Sequence, residues 1–496
     1  MQPCDLDAVT ARQMIGARQL SSVELVQSCI DRIASVDHAV NAMVTRDFDR
    51  ALASARDADA ATLRGDAVGP LHGLPVGVKD LDETADIRTT FGSELFADNV
   101  PKHDSGAVAR LKAAGAIVLG KTNTPEFGAG ANTRNRVFGA TGNPFDPNKS
   151  AAGSSGGSGV ALACGMVPIA TGSDMGGSLR NPAAYNGIVG FRPSAGMVPA
   201  EKRPLGWSNL GVLGPMARNV ADLSLMLSAM QGDDERDVLA TTILGRSVRQ
   251  PGDVFPPAAV DLAHVRAAFS PDFGFAPTEQ HIRRVFAAKT ALFRDVFAVA
   301  EDATPDCSGM DDTFAVLRAM NFIAAHYDKC KATPDKVGPN VTANVEEGLR
   351  YSALDIVGAQ KQQTVLYQRF IAFFQRFDVM ITPSVTLSPR AWTELAPTAI
   401  DGVATRSYYH WLALAYAVTT VGHPAVSLPV GLDEHGMPFG LQIVGRRGGD
   451  AQVLAVAAAL ERVLAGDVRT ARPVPNLAAL QARGPISASA GFYDMG

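Results

Sequence analysis

Two runs rich in glycine and serine stand close together in the chain. They are Ala152-Gly153-Ser154-Ser155-Gly156-Gly157-Ser158-Gly159 and Thr171-Gly172-Ser173-Asp174-Met175-Gly176-Gly177-Ser178-Leu179-Arg180. A serine hydroxyl is a nucleophile toward carbonyl carbon once a base takes its proton, and glycines let backbone N–H groups approach a ligand. The same composition also makes flexible linkers. Here Val160-Ala161-Leu162-Ala163 and Val167-Pro168-Ile169-Ala170 lie between the runs, so they read as buried turns rather than tethers. A phosphate-binding loop is excluded, because neither run places Lys and then Ser or Thr after its last glycine. Gly153-Ser154-Ser155-Gly156-Gly157 also fits G-x-S-x-G, which would make Ser155 the nucleophile of an α/β-hydrolase-type esterase served by His410, His423 or His435.

A lysine segment precedes both runs: Gly73-Leu74-Pro75-Val76-Gly77-Val78-Lys79-Asp80. Further along come Gly120-Lys121-Thr122-Asn123-Thr124-Pro125-Glu126, Gly187-Ile188-Val189-Gly190-Phe191-Arg192-Pro193-Ser194 and Gly214-Pro215-Met216-Ala217-Arg218, then Ile381-Thr382-Pro383 and Gly422-His423-Pro424-Ala425. Taken in order, these motifs resemble the amidase signature family over nearly the full chain, most strongly from Gly73 to Asp222. The resemblance implies an α/β fold with a large central mixed β-sheet surrounded by α-helices. It implies an amidase that hydrolyses a carboxamide C–N bond to a carboxylic acid plus ammonia or an amine, through an acyl-enzyme on Ser178. By motif position Ser154 would bridge, following a cis peptide bond, and Lys79 would be the ultimate base. Backbone N–H groups of Met175, Gly176, Gly177 and Ser178 would form the oxyanion hole. No histidine, metal or cofactor enters this scheme.

The physical demands of that scheme are specific. Lys79 accepts a proton only when neutral, so its reference pKa of about 10.4 must fall through burial or neighbouring cations. Val76 and Val78 suit such burial. Gly176 and Gly177 would keep side chains away from the oxyanion donors. Asp174 and Arg180 flank the nucleophile segment and are expected to hold the loop by polar contacts, while Ser155 is expected to act as loop scaffold. Ala152, Met175 and Phe191-Arg192-Pro193 depart from the family's commonest residues without removing a reactive group.

A second function of a different class is the glutaminase component of a tRNA-dependent amidotransferase, which would need protein partners. Against it, Phe127-Gly128-Ala129-Gly130-Ala131-Asn132-Thr133-Arg134-Asn135 lacks a Ser-Thr-Glu-Asn run, and Val341 to Gln360 contains only Tyr351 in place of a tyrosine-rich pattern. A catalytically silent scaffold on the same fold is the third reading. The partner expected is a small-molecule amide, and a homodimer is compatible with the resemblance.

Composition bounds the rest. With 45 Lys plus Arg against 50 Asp plus Glu in 496 residues, the net charge of −5 offers no basic surplus for nucleic acid or an anionic membrane. Five scattered cysteines without a C-x-x-C pair argue against a disulfide framework or a zinc site. Without a signal-like start or a long apolar run, the expected location is cytoplasmic.

One α/β domain over residues 1–496 is expected, with an N-terminal helical layer (1–65), a signature core (66–230) and a variable C-terminal half (231–496) that completes the sheet and the substrate pocket. Ser21-Ser22-Val23-Glu24 has capping-box spacing and starts a helix carrying Val26, Ile30 and Ile33. A helix from Asp104 to Ala114 feeds a strand at Ala116 to Leu119, and Val265 to Phe269 reads as a strand before a helix over Thr278–Phe297, with Ile282, Val285, Phe286 and Leu292 inward. Further helices are expected at Gln363–Phe377 and Asp450–Leu464, the latter capped by Asp450. The stretch Pro251 to Pro257 reads as a surface excursion.

Overall fold

The computed structural model describes residues 2–240, 242–243, 246–247 and 250–494. Its frame is a mixed sheet whose strands, in chain order, are β1 (Met43–Arg46), β2 (Pro75–Lys79), β3 (Ile117–Thr122), β4 (Ile169–Asp174), β5 (Val189–Arg192) and β6 (Val212–Ala217). The chain's second half adds β7 (Arg266–Phe269), β8 (Val299–Asp302), β9 (Val379–Pro383), β10 (Ala425–Leu432) and β11 (Pro438–Val444). Their spatial order is β1-β3-β2-β4-β6-β5-β10-β11-β9-β7-β8. β2 runs parallel to both β3 and β4, whereas β4–β6–β5–β10–β11–β9 alternate in direction. Every residue of β2, β3, β5 and β11 is buried, as expected of strands covered on both faces.

The covering helices follow the amphipathic pattern only where one side meets water. They include α1 (Ser22–Val36), α2 (Gly106–Ala113), α3 (Gly156–Ala163), α4 (Arg180–Asn186), α5 (Gln280–Thr290), α6 (Met310–Ala332), α7 (Pro339–Leu349), α8 (Ala353–Arg376) and α9 (Asp450–Ala465). α3 and α4 are buried along their whole lengths. α1 begins with the expected capping box: Glu24 N donates to Ser21 Oγ at 3.0 Å, and Ser21 N donates to Glu24 Oε2 at 2.8 Å. No helix among the described residues is long and apolar enough to cross a membrane.

Three element boundaries differ from the sequence expectation. α5 stops at Thr290, so Leu292 is 37% exposed rather than inward, because a 3-10 turn at Arg294–Val296 breaks the periodicity. α8 starts ten residues before Gln363, behind a Ser352/Asp355 capping box. α9 is capped at Gly449, and Asp450 accepts instead from Ser194 N at 2.7 Å. Within the expected surface excursion at Pro251 to Pro257, Val254 is buried.

Because β2 and β4 are parallel neighbours, their carboxyl ends emerge on the same edge of the sheet, the usual place for a ligand site in α/β proteins. Lys79 ends β2 and Asp174 ends β4. The 152–159 turn leads into α3, which packs on β2, β3 and β4.

Candidate active site

Lys79 is fully buried, and its ammonium nitrogen lies within reach of three hydroxyls. Nζ donates to Ser154 Oγ at 2.7 Å, to Ser155 Oγ at 2.9 Å and to Ser173 Oγ at 2.9 Å. An ammonium has three donors and no acceptor, while a neutral amine has two donors and one lone pair. Because hydroxyls rotate, the cluster satisfies either state: one serine need only reverse its O–H toward nitrogen. Burial pushes Lys79 down to about 7, against the opposing pull of Asp82 and Asp174.

A second buried lysine supports the first. Lys121 Nζ donates to Thr84 Oγ1 at 2.9 Å and to the Asp82 carbonyl oxygen. Burial brings it to about 8, although Asp80, Asp82 and Asp104 favour its charge. Thr171 Oγ1 accepts from Lys79 N and donates to Asp82 Oδ2, both at 2.8 Å, which ties the lysine strand to β4. Asp82 itself is raised, because burial outweighs its cationic neighbours.

The turn after β4 is held by one carboxylate. Asp174 accepts from Arg180 Nε at 3.0 Å and Nη2 at 2.8 Å, from Arg192 Nη1 at 3.2 Å, and from the backbone N–H of Gly177 and Leu179 at 3.1 Å each. Burial alone would raise it, yet the two guanidiniums hold it below the ordinary carboxylate range. Asp174 and Arg180 therefore shape the loop, as the sequence suggested. Gly177 has φ +104, and a Cβ there would meet Ala415 Cβ at 2.5 Å, so only glycine fits. At Gly176 a Cβ would meet nothing closer than Leu412 Cδ1 at 3.5 Å.

Ser154, Ser173, Met175, Gly176 and Ser178 line one cavity of about 440 Å³. Ser178 is half-buried there and its hydroxyl makes no hydrogen bond among the described residues; its carbonyl accepts from Ser155 N at 3.3 Å. The Gly153–Ser154 peptide is cis. Of the four backbone donors expected at an oxyanion hole, that of Gly177 is taken by Asp174. Those of Met175, Gly176 and Ser178 have no acceptor among the described residues.

The esterase arrangement on Ser155 has no histidine base beside it among the described residues. Ser155 Oγ accepts from Lys79, whereas His423 Nδ1 is hydrogen-bonded to Gly445 O at 2.7 Å, His410 approaches Asp311, and the His435 ring lies tilted 4.8 Å from that of His281. His281, Glu434 and His435 bring possible metal-ligand atoms within 4.8 Å of one another, outside the cavity lining. Sequence reasoning passed over Ser173, Asp82 and Arg318. The first was visible in principle, because Thr171 and Ser173 sit two apart on a strand and so share the face turned toward Lys79.

The sequence matches the family described as Amidase over residues 24–454. It is 31% identical over 461 residues to an acylamidase of Rhodococcus erythropolis, covering 92% of this chain and 95% of that protein. It is 33% identical over 473 residues to a glutamyl-tRNA(Gln) amidotransferase subunit of Azoarcus sp. (strain BH72), covering 90% of this chain and 95% of that protein. Its fold matches a bacterial aryl acylamidase of the amidase signature enzymes with a TM-score of 0.84 at 27% identity, over 92% of this chain and 96% of that one. The chain belongs to the Amidase family, the amidase signature enzymes, and is an amide-hydrolysing enzyme.

Proposed function

We propose that the protein is a free-standing amidase, a single catalytic unit in which Ser178 attacks, Ser154 relays and Lys79 is the base. The observation that carries the reading is the fully buried amine of Lys79, 2.7 Å from Ser154 Oγ beneath a cavity that also exposes Ser178. In the neutral state Ser154 donates its O–H to Nζ and accepts the proton of Ser178 as the latter's oxygen bonds to the amide carbon. The proton of Ser154 moves to Nζ in the same event. The tetrahedral oxyanion meets the N–H groups of Gly176 and Ser178, which have no acceptor among the described residues. Lysine then returns its proton through Ser154 to the departing nitrogen, since an amine leaves poorly unless protonated. Water repeats the sequence on the ester and releases the acid.

Similarity to amidotransferase subunits supports a second reading, a glutaminase that works only within a complex. The deciding experiment uses the purified chain alone. It is treated with a fluorophosphonate, mapped by peptide mass, and assayed for ammonia release from a panel of amides that includes glutamine. An adduct at Ser178 with turnover of non-glutamine amides supports the free amidase. An adduct at Ser155 overturns the relay, and a chain that alone turns over no amide but glutamine, or none at all until amidotransferase partner subunits are added in a second round, moves the case to the second reading.

A further inference from the structure

One wall of the cavity is a face of α6. Arg318, Asn321, Phe322, Ala325 and His326 line it at i, i+3, i+4, i+7 and i+8, the spacing of a single helical stripe. Arg318 is 5% exposed, yet among the described residues it forms no ion pair. Its partners are all uncharged. Nε donates to Asn344 Oδ1 at 3.0 Å, Nη2 donates to Tyr408 OH at 2.6 Å, and Nη1 lies 3.8 Å from Met175 Sδ. The rings of Phe322 and Tyr409 stand 4.5 and 5.0 Å from its Cζ. Glu347, on α7, is engaged instead by the hydroxyls of Tyr409 at 2.8 Å and Tyr351 at 2.9 Å.

The other cationic side chains at the cavity are paired: Lys202 with Glu83 and Arg203 with Asp237. Arg318 thus stands apart. A guanidinium has five N–H donors, and three are accounted for, one on each nitrogen. One N–H on each terminal nitrogen keeps no partner among the described residues, a pair able to meet the two oxygens of a carboxylate. A buried cation without a counter-charge is costly, and the contact with Met175 places this one beside the turn that carries Ser178.

We propose that Arg318 selects substrates: the amides taken by this enzyme carry a carboxylate, held by Arg318 while Ser178 attacks the amide carbon. The inference rests on the reading of the cavity as the amidase site and names its substrate class. The carboxylate lies away from the reacting bond, so Arg318 contributes binding common to the bound and transition states, and its loss falls on KM more than on kcat.

The test compares succinamate, glutaramate and adipamate with alkyl amides of equal length, by ammonia release, in the wild type, Arg318→Met and Arg318→Lys. The wild type is expected to favour at least one anionic amide over its neutral counterpart by about tenfold or more in kcat/KM. Arg318→Met should cut that ratio at least about tenfold, and Arg318→Lys should restore part of it. A wild type with no anionic preference, or a ratio unchanged by Arg318→Met, overturns the inference. Binding is read separately in the Ser178→Ala protein, by calorimetry with succinate, glutarate and adipate. At least one should bind, and the added Arg318→Met change should weaken it about tenfold; no binding, or binding indifferent to residue 318, overturns the inference whether or not any amide is turned over. Absence of all turnover alongside Arg318-dependent dicarboxylate binding would instead refute the amidase reading alone.

Discussion

If the neutral amine of Lys79 drives attack, the rate at which a fluorophosphonate labels Ser178 must follow the fraction of that amine lacking a proton. Burial lowers Lys79 from 10.5 to about 7. At pH 7 that raises the neutral fraction from roughly one in three thousand to about one half, a gain of about a thousandfold. Labelling should therefore climb about tenfold per pH unit below 7, pass half its limit near pH 7 and level off above about pH 8. Reading the adduct by intact mass keeps product release and deacylation out of the measurement. Lys79→Met should label about 10²- to 10⁴-fold more slowly and lose the slope. Lys79→Arg should do no better, because a guanidinium stays protonated. A rate flat from pH 5 to 9, a midpoint near 10, or a slope that survives in Lys79→Met would refute the relay.

Other outcomes follow from the same geometry. Ser154→Ala should slow amide turnover more than Ser155→Ala does in parallel steady-state assays, because Ser154 both contacts Lys79 and lines the cavity, whereas Ser155 contacts Lys79 without lining it. Gly177→Ala should lower the Tm and abolish labelling, whereas Gly176→Ala should fold with a Tm near wild type, as Ala415 crowds the first position and nothing crowds the second. Asp174→Ala strands Arg180 and Arg192 without counter-charge and should cost about 3–5 kcal/mol in urea unfolding. Between pH 7 and 9 the unfolded chain holds protons that buried Lys79 has released, so stability should rise with pH. The Lys79 share is about 2 kcal/mol, and the gain should be smaller by that amount in Lys79→Met.

What was legible in the sequence was local or carried by glycine and hydroxyl runs. Ser21 and Glu24 announce α1 because a capping box needs only four residues, and the two runs announce β4's turn because few folds tolerate such composition between apolar segments. Ser352 and Asp355 offered the same signal for α8. That signal went unused because Leu354 and Val357 stay exposed, and the apolar period strengthens only toward Phe370. Arg318 was silent for another reason. An arginine inside an amphipathic helix reads as a solvated residue, and its burial arises from Asn344, Tyr408 and Tyr409, which only the folded chain brings beside it. The engagement of Gly177 N–H by Asp174 likewise depends on a turn geometry that residue types alone do not specify.

The cavity joins groups from two distant stretches of the chain. Lys79, Ser154, Ser178 and the anchoring Asp174 sit on β2, β4 and the turns beside them, whereas the α6 wall comes from a later stretch that meets them at the cavity. On the roles proposed above, the groups that would break the bond and the helical wall that would choose the amide come from different stretches of the chain. Under that proposal, substitutions on α6 would change which amide is taken while the hydroxyl cluster around Lys79 stays as it is.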